Sequence, residues 1–129
     1  MSKLINFQTI FDSRGNLTVV DGGLPFSIQR IYYIYGVPSN QERGSHAHKE
    51  LEQILIPVHG SLEVQLDNGK SIEKIVLDDP TRGLFVPKLV WRTLYNFSKD
   101  TVLLVLVSSA YNKEDYVRNY DKFLELVNA

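Results

Sequence analysis

Short β-type runs follow one another along most of the chain, with turn-forming residues between them. The runs are "INFQTI" (5–10), "LTVV" (17–20), "FSIQRIYYIYG" (26–36), "HAH" with its neighbours (46–48), "EQILIPVHG" (52–60), "SLEVQL" (61–66), "KSIEKIVLD" (70–78), "GLFVP" (83–87) and "TVLLVLVSS" (101–109). "DSRGN", "DGGLP", "VPSNQERG", "DNGK", "DDPTRG" and "FSKD" separate them, all of turn composition. In "SLEVQL" the apolar Leu62, Val64 and Leu66 alternate with polar neighbours, and Asn68-Gly69 follows. Both of those residues tolerate positive φ, so the stretch predicts a hairpin.

The period changes only near the end. In "YNKEDYVRNYDKFLELV" (111–127), Tyr116, Tyr120, Phe123, Leu124 and Val127 fall at helical spacing, with Asn112 placed to cap the start. Many short strands closed by one helix predict an all-β barrel or sandwich with a C-terminal α-helix, since closure removes exposed edges. The run 101–107 is too continuously apolar for a half-exposed strand. It is expected to be covered on both faces, between barrel and helix or between subunits.

Composition narrows the class. With 129 residues, 43% of them hydrophobic, the chain suits one domain over 1–129. A net charge of −1 gives no broad basic surface for nucleic acid. Cysteine is absent, which removes disulfides and thiolate chemistry and fits a reducing compartment. The opening "MSKLINFQTIFDSRG" has no long apolar segment, and "TVLLVLV" is too short to span a bilayer. The expectation is a cytoplasmic protein without a membrane partner. "NGKS" (68–71) lacks the earlier glycine of a phosphate-binding loop, because Val64 stands in its place.

The chemistry concentrates in "RGSHAHKELEQILIPVHG" (43–60). On a strand, residues i and i+2 face the same way, so His46 and His48 project together and Ala47 packs behind them. Alone, such a pair reads as two structural histidines, and His59 beside Gly60 reads as a solvated turn residue. The flanking residues change this for the pair. The stretch resembles the first motif of the cupin superfamily, in which two histidines precede a glutamate, an apolar strand and a glycine. "GLFVPKLVWRTLYN" (83–96) is similar to the second motif, with Gly83, Pro87 and Asn96 in place. Gln53 stands where that family carries a glutamate ligand, and Arg92 where it carries a third histidine. A neutral amide is a poor ligand and a guanidinium repels cations, so no metal and no other cofactor is expected. Glu52 lies one position off and faces the other side of a regular strand.

"PFSIQRIYYIYG", "RGSHAHKELEQ", "GLFVPKLVWR" and "AYNKEDYVRNYDKFL", in this order, resemble the sugar-nucleotide 3,4-ketoisomerases of the cupin superfamily, from about residue 5 to about residue 125. The resemblance implies a cupin-type jelly-roll β-barrel and a homodimer with strands exchanged between subunits. It also implies a metal-independent isomerase acting on a dTDP-4-keto-6-deoxyhexose, which supplies a 3-keto sugar for 3-amino-3,6-dideoxyhexose synthesis.

Moving a ketone from C4 to C3 requires a proton to leave C3, another to reach C4, and a hydroxyl proton to pass between the oxygens. Imidazole suits this because it titrates near neutrality. By resemblance the pair carries the chemistry, with His48 as the base at C3 and His46 as its partner. Tyr32, on one strand face with Arg30, is the candidate donor to the enediolate. Arg14, Arg43 and Arg92 are candidates for the diphosphate, and Arg30 and Gln53 for further substrate contacts. The Tyr116/Tyr120/Phe123 stripe is read as packing. Two rival functions stay open: an epimerase of related barrel type, and a sugar-nucleotide-binding module without catalysis. Whether the product is the gluco or galacto epimer depends on which face of the enediol is reprotonated.

Overall fold

The computed structural model describes residues 3–129. Among the described residues there are twelve strands: β1 (Lys3–Asn6), β2 (Gln8–Asp12), β3 (Gly15–Val19), β4 (Arg30–Tyr35), β5 (Arg43–His48), β6 (Gln53–His59), β7 (Leu62–Asp67), β8 (Ile72–Leu77), β9 (Arg82–Val86), β10 (Trp91–Tyr95), β11 (Val102–Val107) and β12 (Tyr116–Val117). The helix α1 (Tyr120–Val127) closes the chain. Two sheets of five strands form, ordered β1-β9-β6-β11-β4 and β12-β5-β10-β7-β8, and β2-β3 makes a separate hairpin. All pairings are antiparallel.

The pairs β7·β8, β6·β9, β5·β10 and β4·β11 are nested, and they alternate between the two sheets. This is a hairpin wound around a barrel, the jelly-roll expected from the resemblance. At its centre the turn 68–71 holds as predicted. Asn68 Oδ1 accepts from the N–H groups of Lys70 and Ser71, and Gly69 takes φ 90°.

The core lies between the sheets, where Leu55, Leu62, Val64, Leu66, Leu84, Val86, Leu103, Val105 and Val107 meet. The outer face of β11 and β6 is also buried, through Ile54, Ile56 and Leu106. Both faces of the 101–107 run are therefore covered, but not by the helix. Val20, Leu24 and Phe26, with Ile5, Phe7 and Phe85, form that cover. Segment 26–29 thus lies outside the strand expected at 26–36, which begins only at Arg30. The run expected at 5–10 likewise breaks at Phe7, whose N–H turns aside to the Thr81 carbonyl.

The helix is shorter than its periodicity predicts. Asn119 caps α1, accepting from the Lys122 N–H, whereas Asn112 caps a separate 3-10 turn, Lys113–Asp115. Tyr116 and Val117 leave that turn extended and pair with His48 and Ala47 of β5. The pull comes from side-chain chemistry. The Asp115 carboxylate accepts from the N–H groups of Glu50 and Leu51, and its carbonyl accepts from Lys49 N–H. These bonds outcompete continuation of the helical spacing through Tyr116. Phe123 of α1 then packs on Ala47 and Val117, over the back of the histidine strand. No described helix is long and apolar enough to cross a membrane.

Candidate active site

The site begins with a defect in β5. Arg92 opposes His46 in register, but Thr93 opposes Gly44, so Ser45 is bulged out of the ladder. Ser45 and Gly44 adopt φ 57° and 85°. At Gly44 a Cβ would sit 3.0 Å from the Arg92 carbonyl, so glycine lets the two strands approach there. The bulge turns Arg43 and His46 toward the same cavity despite their odd spacing.

That cavity, about 530 Å³, opens between the sheets at the β4 edge. Arg30, Tyr32, Arg43, His46, Gln53 and Arg92 line it, so six of the eight expected site residues come together. His48 lies directly behind, 0% exposed, its ring edge-on to His46 at 4.9 Å between centroids. Arg14 does not join them within the chain. It sits at the β2–β3 turn, 88% exposed at its side chain, with its guanidinium on Asp12.

Three lining groups form a hydrogen-bonded chain. Arg92 NH1 donates to Gln53 Oε1 (2.6 Å), and Gln53 Nε2 donates to the Tyr32 hydroxyl oxygen (3.1 Å). With one Tyr32 lone pair occupied, its O–H is free to donate into the cavity. Burial raises the Tyr32 phenol's pKa further, so it remains protonated at neutral pH.

The histidines are held as neutral bases. His48 Nδ1 lies 3.1 Å from Asp115 Oδ2, and its Nε2 is buried without a partner. A carboxylate at Nδ1 selects the tautomer with the proton there and leaves the Nε2 lone pair free. Burial lowers both imidazoles, His46 to about 4, and the Arg92 charge lowers them further. For His48 the nearby Asp115 opposes the shift without reversing it.

Three groups here were not expected from sequence: Asp115, Tyr116 and Arg118. Asp115 is the orienting carboxylate, and Tyr116, read as packing, covers the pair at 4.4 Å from His48 and 5.1 Å from His46. Arg118 also lines the cavity, its guanidinium 4.3 Å over the Tyr116 ring. Their signal was available only as spacing, and the helical period there masked the extended backbone that brings them in. None of the lining residues is acidic, while four are arginine (Arg30, Arg43, Arg92 and Arg118). Such a wall favours an anionic ligand. Among the described residues, no group of three or more His, Cys, Asp or Glu gathers as metal ligands.

Comparison with known proteins places this architecture. Residues 1–128 match the family described as "FdtA: WxcM-like, C-terminal". The TDP-4-oxo-6-deoxy-alpha-D-glucose-3,4-oxoisomerase of Aneurinibacillus thermoaerophilus is 45% identical over 98% of this chain and 92% of its own length. A 3,4-ketoisomerase from Helicobacter canadensis is 46% identical and superposes with a TM-score of 0.95, over 99% of this chain and 98% of that one. The 3,4-ketoisomerase QdtA of Thermoanaerobacterium thermosaccharolyticum is known as a histidine-to-asparagine mutant in complex with TDP-4-keto-6-deoxyglucose. It is 40% identical, with a TM-score of 0.96, over 98% of this chain and 94% of that one.

Proposed function

The chain belongs to the FdtA family of WxcM-like C-terminal domains, and from that premise we propose that it is a TDP-sugar 3,4-ketoisomerase acting on a TDP-4-keto-6-deoxyhexose. The observation that carries the catalytic assignment is the buried His48–Asp115 pair, which has a fixed tautomer and an unpartnered Nε2 behind an arginine-lined cavity.

In this reading His48 Nε2 takes the proton from C3 of the 4-keto sugar. The electrons of that C–H bond form the C3–C4 double bond of an enediolate, and the C4 carbonyl oxygen becomes anionic. Tyr32 donates toward that oxygen, and Arg92 stabilises its charge. A proton then passes from the C3 hydroxyl to the C4 oxygen. The imidazolium returns a proton to C4, leaving the ketone at C3. No net oxidation occurs, and the three proton transfers balance. His46, bordering the cavity, assists the transfer between oxygens. Nε2 of His48 is buried and its ring packs against both His46 and Tyr116, so in this reading these two cavity-lining rings shift as the sugar enters. Arg30, Arg43 and Arg118 hold the diphosphate. The product has the chemistry required by an aminotransferase that makes a 3-amino sugar.

The protein works as a homodimer. Among the described residues the β2–β3 hairpin pairs only with itself; it exposes Ile10, Phe11 and Leu17, and the β4 edge turns Ile31, Tyr33 and Tyr35 outward. A two-stranded hairpin is marginal in water, so a second copy accounts for both apolar surfaces. In that assembly the hairpin carries Arg14 toward the partner. A cytoplasmic setting fits a chain without cysteine.

The test is incubation with TDP-4-keto-6-deoxyglucose in deuterated water, followed by proton NMR. A 3-keto product deuterated at C4, absent with His48→Asn, is expected. Deuterium entering while the ketone stays at C4 would replace this reading by epimerisation. Binding without exchange would replace it by a module without catalysis. Loss of exchange in His46→Asn but not in His48→Asn would reverse the two histidine roles.

A further inference from the structure

Arg92 is unusual among the groups at this site. It is 2% exposed, and no carboxylate lies within ion-pair distance among the described residues. NH1 donates to Gln53 Oε1, NH2 donates to the Val90 carbonyl at 3.0 Å, and Nε has no partner. Of the groups whose charge acts on it, Tyr32, Tyr116 and Asp115, only Asp115 is a carboxylate, and it is committed to His48 and two backbone N–H groups. Burial accordingly lowers the guanidinium's pKa to about 10, a value at which it still carries its charge at neutral pH.

A buried cation without a counter-charge is destabilising. The residue best placed to relieve it is Gln53, itself 3% exposed, with its oxygen already 2.6 Å from NH1. Glutamate has the same size and shape. It would accept the same hydrogen bond with a full negative charge, at the position where an amide leaves the cation unneutralised. The amide also supplies what a carboxylate lacks, an N–H donor for the Tyr32 oxygen.

We propose that Gln53 is a positioning residue that locks the Arg92 guanidinium and the Tyr32 hydroxyl in one chain while leaving the guanidinium's charge unneutralised for the enediolate oxygen formed in the cavity. The proposal rests on the isomerase reading and gives its pocket a specific electrostatic design. Stability at Gln53 is sacrificed to keep a full positive charge facing the reacting carbonyl.

The experiment compares Gln53→Glu and Gln53→Met with the parent protein by thermal unfolding, TDP titration and NMR turnover of TDP-4-keto-6-deoxyglucose. Gln53→Glu is expected to raise Tm by about 5 °C or more. It should leave TDP affinity within about threefold, because the change lies at the sugar end, and lower kcat by about 100-fold or more. Gln53→Met keeps the site neutral but unanchored, so it should lower Tm and retain a higher kcat than Gln53→Glu. The proposal is overturned if Gln53→Glu fails to raise Tm, keeps kcat within about tenfold of the parent, or outperforms Gln53→Met. If the parent itself leaves the substrate unchanged, the isomerase reading fails separately. A raised Tm in Gln53→Glu would then still establish the unneutralised charge, and an unchanged Tm would refute it.

Discussion

Replacing Asp115 by asparagine isolates the tautomer from the fold. The native carboxylate serves three donors: His48 Nδ1 at 3.1 Å, Glu50 N–H at 2.9 Å and Leu51 N–H at 3.2 Å. Oδ1 takes Glu50, and Oδ2 takes both His48 and Leu51. Asparagine keeps an oxygen for Glu50 but points an NH2 at the other two. Leu51 N–H then loses its acceptor in a buried setting, at a cost of about 1–3 kcal/mol. His48 must accept at Nδ1, which moves its proton to Nε2, the atom that has to be free as base. Loss of a positioned general base is worth about 10²–10⁴ in rate, so kcat should fall into that range with the protein still folded. The assay pairs solvent deuterium incorporation with ¹⁵N NMR of labelled His48. The parent ring should report Nδ1–H, and the mutant ring Nε2–H. A mutant that keeps kcat within tenfold, or a parent ring already protonated at Nε2, would refute the tautomer argument.

The two depressed histidines make stability depend on pH. Unfolding lets each return to its ordinary value near 6.5, so between that value and about 4 for His46 the unfolded chain binds more protons. Their contribution is complete above pH 6.5 and is lost as pH falls, by about 1.4 kcal/mol per pH unit for each histidine that charges only on unfolding. Thermal scans from pH 7.5 to 4.5 should show Tm falling, and His46→Asn should flatten the slope; a Tm independent of pH would contradict the buried neutral pair. Phe11→Asp places a charge on the apolar face of the β2–β3 hairpin, where Phe11 is 66% exposed in the single chain. Light scattering should give twice the 14.8 kDa chain mass for the parent protein and a shift toward that mass for the mutant, and an unchanged mass would remove the hairpin from the interface.

Strand positions followed from sequence wherever one face was apolar, whereas the helix begins later than its spacing predicts, capped by Asn119 and not Asn112. Strand assignment failed where a polar group sits on an inward face. β10, "WRTLY", was not recognised as a strand because its buried positions are Arg92 and Leu94, and the charge breaks the apolar alternation. The pair at 46 and 48 was legible because two imidazoles on one strand share a face, although the bulge at Ser45 that aims them was not. Asp115 could not be found by spacing, since 67 residues separate it from His48 and only the fold brings them together. The Tyr116 position illustrates a limit of periodicity. Its spacing to Tyr120 and Phe123 is helical, yet its backbone pairs with β5, because the bonds made by Asp115 fix the chain one residue earlier. Arg14 was read as a ligand from its residue type, and a hairpin that leaves the body of the chain cannot be placed without its partner surface.

The two departures from the cupin metal motif acquire a joint meaning in the folded chain. Gln53 and Arg92 hydrogen-bond each other, so the positions that would carry two metal ligands instead carry a cation and its neutral anchor. A guanidinium can do the electrostatic part of a metal's work, stabilising an oxyanion, without taking up the imidazole lone pairs that a metal would occupy. In the proposed mechanism both histidines therefore stay available for proton transfer. Burial, reinforced by the same charge, lowers their pKa and keeps them unprotonated at neutral pH, at the expense of basicity. A weak base is poorly matched to a carbon acid, and the mismatch is relieved by the substrate. In the proposed mechanism the diphosphate brings negative charge against Arg30, Arg43 and Arg118, and the growing enediolate brings more against Arg92. Each neutralises part of the field that holds the imidazoles down. On that reading, basicity at His48 rises as the ligand seats and rises again as the transition state forms, which would tie proton abstraction to occupancy of the whole pocket.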